Sequence, residues 1–175
     1  MQGYKAADAP PLAETHRTAL LPVLASVPPG HGRVSPVKAT LRWQGTRDLD
    51  LAAYWRQGEE RGLVYYDRAG SPDAPPYISL LGDDDGRDGE NLEELLITRA
   101  QGTIWLLCWD SAYLDAAESG PLEAEFTLGD ETVVIEGTGN LAVLGVIREG
   151  VFTARPQVHT ITGLEHIDTL EALLS

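Results

Sequence analysis

The chain has 175 residues, 43% of them hydrophobic, which fits one domain with appended segments and excludes disorder for most of its length. Asp and Glu outnumber Lys and Arg by 27 to 13, and the net charge of −14 argues against nucleic acid as a partner, because phosphate contacts need a basic face. No stretch has the pattern of a signal peptide or the roughly 20 apolar residues that span a bilayer, so we expect a soluble, cytoplasmic protein.

Prolines interrupt the first 36 residues at six positions. Proline fixes φ and removes a backbone donor, so long regular elements are not expected there. We predict a proline-rich N-terminal arm at residues 1–35, with a short helix within residues 12–24 that could dock on the domain or on a partner.

Apolar and polar residues alternate from Val37 onward, which is typical of a strand with one buried face. Ten segments are predicted as strands: 37–44, 49–55, 63–66, 77–81, 92–98, 103–109, 122–128, 131–136, 141–147 and 151–154. Short strands separated by Gly, Asp and Pro turns favour an antiparallel sandwich or barrel. We predict an all-β, jelly-roll-like antiparallel β-sandwich over residues 36–156, with a hairpin turn at Gly129-Asp130.

The end of the chain changes to helical spacing. Leu164, Ile167, Leu170 and Leu174 recur every three or four residues after Gly163. This spacing predicts a short amphipathic helix within a C-terminal extension at residues 157–175.

The segment 82–94 holds seven carboxylates and one cation. Such like charges repel one another, and Ca²⁺ accepts 6 to 8 oxygen ligands from groups of this kind. Gly86 and Gly89 allow positive φ angles that let oxygen atoms converge. An EF-hand register fails, because Arg87 and Asp88 occupy the fifth and sixth positions. The sequence predicts a calcium loop of another type, and a solvated acidic loop without an ion is the alternative.

A second acidic element is Asp48-Leu49-Asp50. If Leu49 and Leu51 point inward, Asp48 and Asp50 share the opposite face of the strand. Paired carboxylates at a strand end could complete a metal site on a loop. Aspartates in this position also commonly form turns.

These elements together resemble the TerD-domain family of tellurium-resistance and stress proteins, with the TerA-like variant as the nearest form. The resemblance covers about residues 36–152 and rests on these segments: Leu41-Arg42-Trp43, Asp48-Leu49-Asp50-Leu51, Val64-Tyr65-Tyr66, Gly70-Ser71, Pro76-Tyr77-Ile78, Gly82-Asp83 and Glu90-Asn91-Leu92-Glu93-Glu94. It implies a calcium-binding β-sandwich in bacterial tellurite resistance and stress response. It also implies partners among the other proteins of a stress-response complex and no established catalysis.

The resemblance implies seven carboxylates as candidate calcium ligands. They are Asp48 and Asp50 of the strand, Asp83 at the start of the loop, and Asp85, Asp88, Glu90 and Glu93 in its acidic remainder. The loop is shorter than the family's Gly-Asp-Asn-Leu-Thr-Gly type and carries Arg87 in its middle. Arg87 could neutralise a carboxylate in place of a second ion, so the number of ions stays open.

Catalytic motifs are scarce in the sequence. The four histidines, at positions 16, 31, 159 and 166, lie outside the predicted strands without metal-ligand spacing, and Cys108 falls in an apolar run that predicts a buried, inert thiol. No nucleophile elbow or phosphate loop is present. We therefore expect a protein that is not an enzyme.

Two other functions stay open. A carboxylate-based glycosidase could stack sugars on tryptophans, although Trp43 and Trp55 are predicted core residues. Trp105 and Trp109 share one strand face, where one of them could flank a ligand groove. A calcium-dependent carbohydrate- or lipid-binding module is the second alternative, with at most peripheral membrane contact because no basic patch adjoins the loop.

Overall fold

A computed structural model describes residues 34–110, 120–161 and 167–174 of the chain. The helix predicted within residues 12–24 lies outside these residues, as does almost all of the predicted arm. In the described ranges, no helix is both long enough and apolar enough to cross a bilayer.

The described residues form ten strands and one short helix. The elements are β1 (Val34–Gln44), β2 (Leu49–Gln57), β3 (Glu60–Val64), β4 (Ile78–Leu80), β5 (Glu90–Arg99), β6 (Thr103–Asp110), β7 (Pro121–Leu128), β8 (Glu131–Thr138), β9 (Leu141–Arg148), β10 (Val151–His159) and α1 (Ile167–Leu174). Strand order is β4-β5-β1-β7-β8 in the first sheet and β10-β9-β6-β2-β3 in the second. The predicted all-β sandwich with a short C-terminal helix is confirmed.

Strand β1 shows how the alternating pattern builds the sandwich. Ala39, Leu41 and Trp43 are buried between the sheets, whereas Lys38 and Arg42 are exposed on the outer face. The strand lies in the middle of the first sheet, where it pairs with β5 on one side and β7 on the other. Its inward residues belong to a single apolar core that both sheets share.

Tight turns connect the hairpins. Strands β7 and β8 meet at Gly129-Asp130, as predicted, and Gly129 has a positive φ of 61°. The turn from β9 to β10 uses Glu149 and Gly150, with φ values of 52° and 77°. Two successive positive φ angles match the right-handed twist of the flanking strands.

The middle of the second sheet is buried on both faces, which the alternating pattern did not predict. Residues 49–54 of β2 are all buried, and Tyr54 belongs to a second apolar cluster with Leu107 of β6. Leu170 and Leu174 of α1 are part of the same cluster. The helix therefore covers the outer face of this sheet.

Strand β10 is longer than predicted. It pairs with β9 as far as His159, with an irregularity between Ala154 and Gln157 where the sequence contains a proline. The strand thus continues past residue 156. The expectation that every histidine lies outside the strands is wrong for His159, whereas the other three histidines lie outside the described residues.

The outer cluster gives a prediction for stability. Leu170 is fully buried, so Leu170→Ala should lower the free energy of unfolding by about 2–4 kcal/mol through lost burial and the cavity left behind. Ala172 lies on the exposed side of the same helix, so Ala172→Gln should change it by less than about 0.5 kcal/mol. Urea titration of both variants measures the difference, and equal effects would contradict the packing of α1 on the sheet.

Candidate functional site

The acidic loop connects β4 to β5 and packs against the turn between β1 and β2. The backbone N–H of Gly45 donates to the carbonyl oxygen of Gly89 at 2.9 Å. Gly86 has φ +76°, and a Cβ at that position would overlap the carbonyl oxygen of Arg47. That same oxygen accepts a hydrogen bond from the Trp43 indole at 2.7 Å. Only glycine therefore fits where the loop meets the turn.

Asn91 is the side chain that joins the loop to the turn. It is 1% exposed, and its Nδ2 donates to the carbonyl oxygens of Gly45 at 2.7 Å and Arg87 at 3.1 Å. Its Oδ1 accepts the backbone N–H of Arg87 at 2.6 Å. One buried amide thus satisfies backbone groups on both segments, which fixes the loop in one conformation.

Glu93 is a buried carboxylate that connects the two sheets. It extends from β5 of the first sheet, is 1% exposed, and its Oε2 accepts the backbone N–H of Leu51 in the second sheet at 2.6 Å. Strand β3 pairs with β2 only from Ala53 onward and does not reach Leu51. Glu93 therefore accepts the Leu51 N–H at a position of β2 that has no partner in β3. Its Oε1 accepts the backbone N–H of Asp84 in the loop at 3.2 Å.

Three carboxylates converge at this point. Oxygen atoms of Asp50 from β2, Asp83 from the loop and Glu93 from β5 all lie within 4.8 Å of one another. Asp50 is 2% exposed, whereas Asp83 faces solvent. We call these three residues the carboxylate triad.

Burial is the largest influence on the ionisation of Glu93. It raises the pKa of Glu93 to about 8, and the negative charges of Asp50 and Asp83 add to the rise. Hydrogen bonds from the backbone N–H groups of Leu51 and Asp84 oppose the rise only in part. Near neutral pH the site therefore needs either a proton on Glu93 or a cation beside it.

The triad has the chemistry and spacing that suit a hard divalent cation. Calcium–oxygen bonds are about 2.3–2.6 Å long, so ligands on opposite sides of one ion stand about 5 Å apart. Carboxylate oxygens within 4.8 Å of one another can contact a single ion of that size. Three side chains supply fewer than the 6 to 8 oxygen ligands that calcium takes, so water or backbone carbonyls would complete the shell.

Four of the seven predicted ligands lie outside the triad. Asp48 is half-buried just before β2, and Asp85 and Asp88 are exposed in the loop. Glu90 is exposed on the outer face of the first sheet, where it pairs with Arg42 at 3.0 Å.

Arg87 lies next to another loop carboxylate rather than in the triad. Its Nε lies 3.7 Å from Oδ1 of Asp84, and its side chain is 81% exposed. The cation in the middle of the loop thus contacts a neighbouring loop residue.

Sequence reasoning missed a buried ion pair at the same end of the sandwich. Asp110, the last residue of β6, is fully buried, and Nε of Arg47 lies 2.6 Å from its Oδ2. The only signal for it was a charged residue directly after the apolar run that ends in Trp109.

Cys108 is buried as predicted, and burial, followed by the charge of Glu93, raises the pKa of its thiol.

No protein-family description matches the chain, and no curated protein or solved structure matches it significantly.

The close contact at Gly86 gives a prediction for the loop. Gly86→Ala should destabilise the fold by about 1–3 kcal/mol, because alanine is strained at this φ and its Cβ meets Arg47. Gly82 has open space around it and no positive φ, so Gly82→Ala is the matched control with little expected effect. Chemical denaturation checks both variants, and a harmless Gly86→Ala would contradict the docked loop.

The pKa of Glu93 predicts how stability depends on pH in EDTA. An acid whose pKa rises from 4.5 in the unfolded chain to about 8 in the fold favours the folded state fully below pH 4.5. The contribution of Glu93 to the free energy of unfolding is lost as the pH rises through 8. The loss amounts to several kcal/mol, because each pKa unit corresponds to about 1.4 kcal/mol.

Glu93→Gln should abolish this slope, because its side chain resembles the protonated acid and cannot titrate. Denaturation at pH 5 to 8.5 should show wild-type stability falling relative to the variant. Parallel profiles for the two proteins would mean that Glu93 does not carry the effect.

Proposed function

We propose that this protein is a calcium-binding, non-catalytic β-sandwich in which one divalent cation is held by the carboxylate triad. The convergence of Asp50, Asp83 and Glu93 within 4.8 Å carries the proposal. Three carboxylates at this spacing repel one another when ionised, and a doubly charged ion removes most of that repulsion. It also replaces the proton that Glu93 otherwise holds.

The ion would act by fixing the loop against both sheets. Asp50 lies in the second sheet, Glu93 lies in the first, and Asp83 lies in the loop between β4 and β5. An ion bound to all three cross-links segments that are distant in the sequence. Its binding free energy then adds to the stability of the fold, because the unfolded chain does not bring these residues together.

Burial supports binding rather than catalysis at this site. Asp50 and Glu93 are 2% and 1% exposed, and only Asp83 of the triad faces solvent. A glycosidase needs two carboxylates that both reach the scissile bond of a sugar. A cation fits a site of this kind because it is small enough to be enclosed.

The cellular role we propose is that of the TerD-domain proteins, in bacterial tellurium resistance and stress response in the cytoplasm. The support is the sequence resemblance, from Asp48-Leu49-Asp50 to the acidic loop, together with the triad that joins these two segments. In this role the ordered loop would present a surface to other proteins of a stress-response complex.

Calcium should therefore raise the thermal stability of the protein. An ion at 100 times its Kd stabilises by about 2.7 kcal/mol. For a domain of this size that corresponds to a rise in Tm of several degrees, at about 2–4 °C per kcal/mol. Differential scanning calorimetry of EDTA-stripped protein, with and without calcium, measures the shift.

Two variants with the same change in charge separate the triad from the loop as a whole. Asp83→Asn removes a solvent-facing triad member and should abolish the shift, whereas Asp88→Asn alters an exposed carboxylate outside the triad and should preserve it. Magnesium should shift Tm less, because it demands shorter bonds in a strict octahedron. No calcium shift in the wild type, or equal loss in both variants, would refute the site.

A further inference from the structure

A groove of about 510 Å³ lies on the outer face of the second sheet, where helix α1 ends. Glu171 and Leu174 of the helix line one side, and residues of β2, β6 and β9 line most of the rest, together with Gly58 and Gly102 beside these strands. Arg56, on the groove, is six residues along β2 from Asp50, or about 20 Å at 3.3 Å per residue. The groove is therefore separate from the carboxylate triad.

Two arginines flank a threonine across the floor of the groove. Arg56 of β2 pairs in register with Thr103 of β6, and Thr103 pairs with Arg148 of β9. Residues paired in this way point to the same face of a sheet, and two strand spacings put the arginine Cα atoms about 10 Å apart. Arginine side chains are long enough for both guanidinium groups to meet above the threonine hydroxyl.

Neither Arg56 nor Arg148 forms a close ion pair with a residue in the part of the chain that the structure describes. The charge of Arg56 contributes to lowering the pKa of Glu171, after the hydrogen bonds from Tyr54 and Arg61. Glu171 also lines the groove, but Nη1 of Arg61 lies 2.9 Å from its Oε1, and the hydroxyl of Tyr54 donates to it at 2.7 Å. The groove is thus cationic in a chain with a net charge of −14.

An aromatic wall adjoins the two arginines. Trp105 is half-buried in the groove, and its ring lies 5.3 Å from that of the fully buried Tyr54, tilted by 43°. The hydrogen bond from Tyr54 to Glu171 fixes the phenol, so the indole packs against a rigid support. Indole faces pack well against planar rings.

We propose that this groove binds a small organic anion, with its phosphate or carboxylate group between Arg56 and Arg148 and its planar ring against Trp105. Guanidinium groups bind both anions through paired N–H donors, and Thr103 adds a hydroxyl donor between them. The site requires the sheet and the helix but no ion in the triad. Its binding is therefore independent of calcium.

Isothermal titration calorimetry of the full chain tests the proposal. Phenyl phosphate has a phosphate group on a phenyl ring, and benzoate has a carboxylate on the same ring. Inorganic phosphate supplies the anion without the ring, and phenol supplies the ring without the anionic group. Titrations in a non-phosphate buffer with EDTA remove any contribution of a metal ion. We expect phenyl phosphate or benzoate to bind at least about tenfold more tightly than either half, with the stronger of the two identifying the preferred anion.

Paired variants locate the binding. Arg56→Gln combined with Arg148→Gln should weaken the aromatic anion about tenfold or more and reduce the dependence of its affinity on salt. Arg68→Gln changes the charge of an exposed arginine outside the groove and should leave binding unchanged. Circular dichroism confirms that each variant is folded.

Absence of binding by all four probes at millimolar concentration would overturn the proposal. Equal affinity of wild type and the double variant, or equal weakening by Arg68→Gln, would overturn it as well. Calcium stabilisation of the triad is measured separately and does not depend on the result.

Discussion

A buried carboxylate that joins two sheets is the constraint on which this end of the molecule depends. Glu93 takes a backbone hydrogen bond from β2 and another from the acidic loop, so it closes a sheet edge that β3 leaves open. Burial disfavours the charged form of a group placed in this way, and the neighbouring charges of Asp50 and Asp83 add to that effect. The close packing of Gly86 against the carbonyl of Arg47 holds the loop that carries Asp83 at the same end of the sandwich.

The fold was predictable where side chains face two different environments. Strand β1 has the core on one side and solvent on the other, so its alternating residues indicated a strand directly. Strand β2 has protein on both sides, so alternation could not reveal that α1 covers its outer face. The helical spacing near the end of the chain predicted α1 but not the sheet on which it packs.

The site was predictable only in its composition. The acidic loop and Asp50 stood out by charge, yet the local sequence does not tell the exposed Asp85 and Asp88 from Asp83, which joins the triad. Asn91 and Asp110 were not identified, because their partners lie 46 and 63 residues away in the chain. Polar residues of this kind acquire their role from tertiary contacts, which composition and spacing do not encode.

The division of the triad among three chain segments limits where its chemistry can exist. A peptide of residues 82–94 would carry Asp83 and Glu93 but lack both Asp50 and the backbone donor of Leu51. Grafting that loop onto another scaffold would fail for the same reason. Any ligand affinity of the triad is therefore a property of two docked sheets, and an ion bound there would report on their assembly during folding.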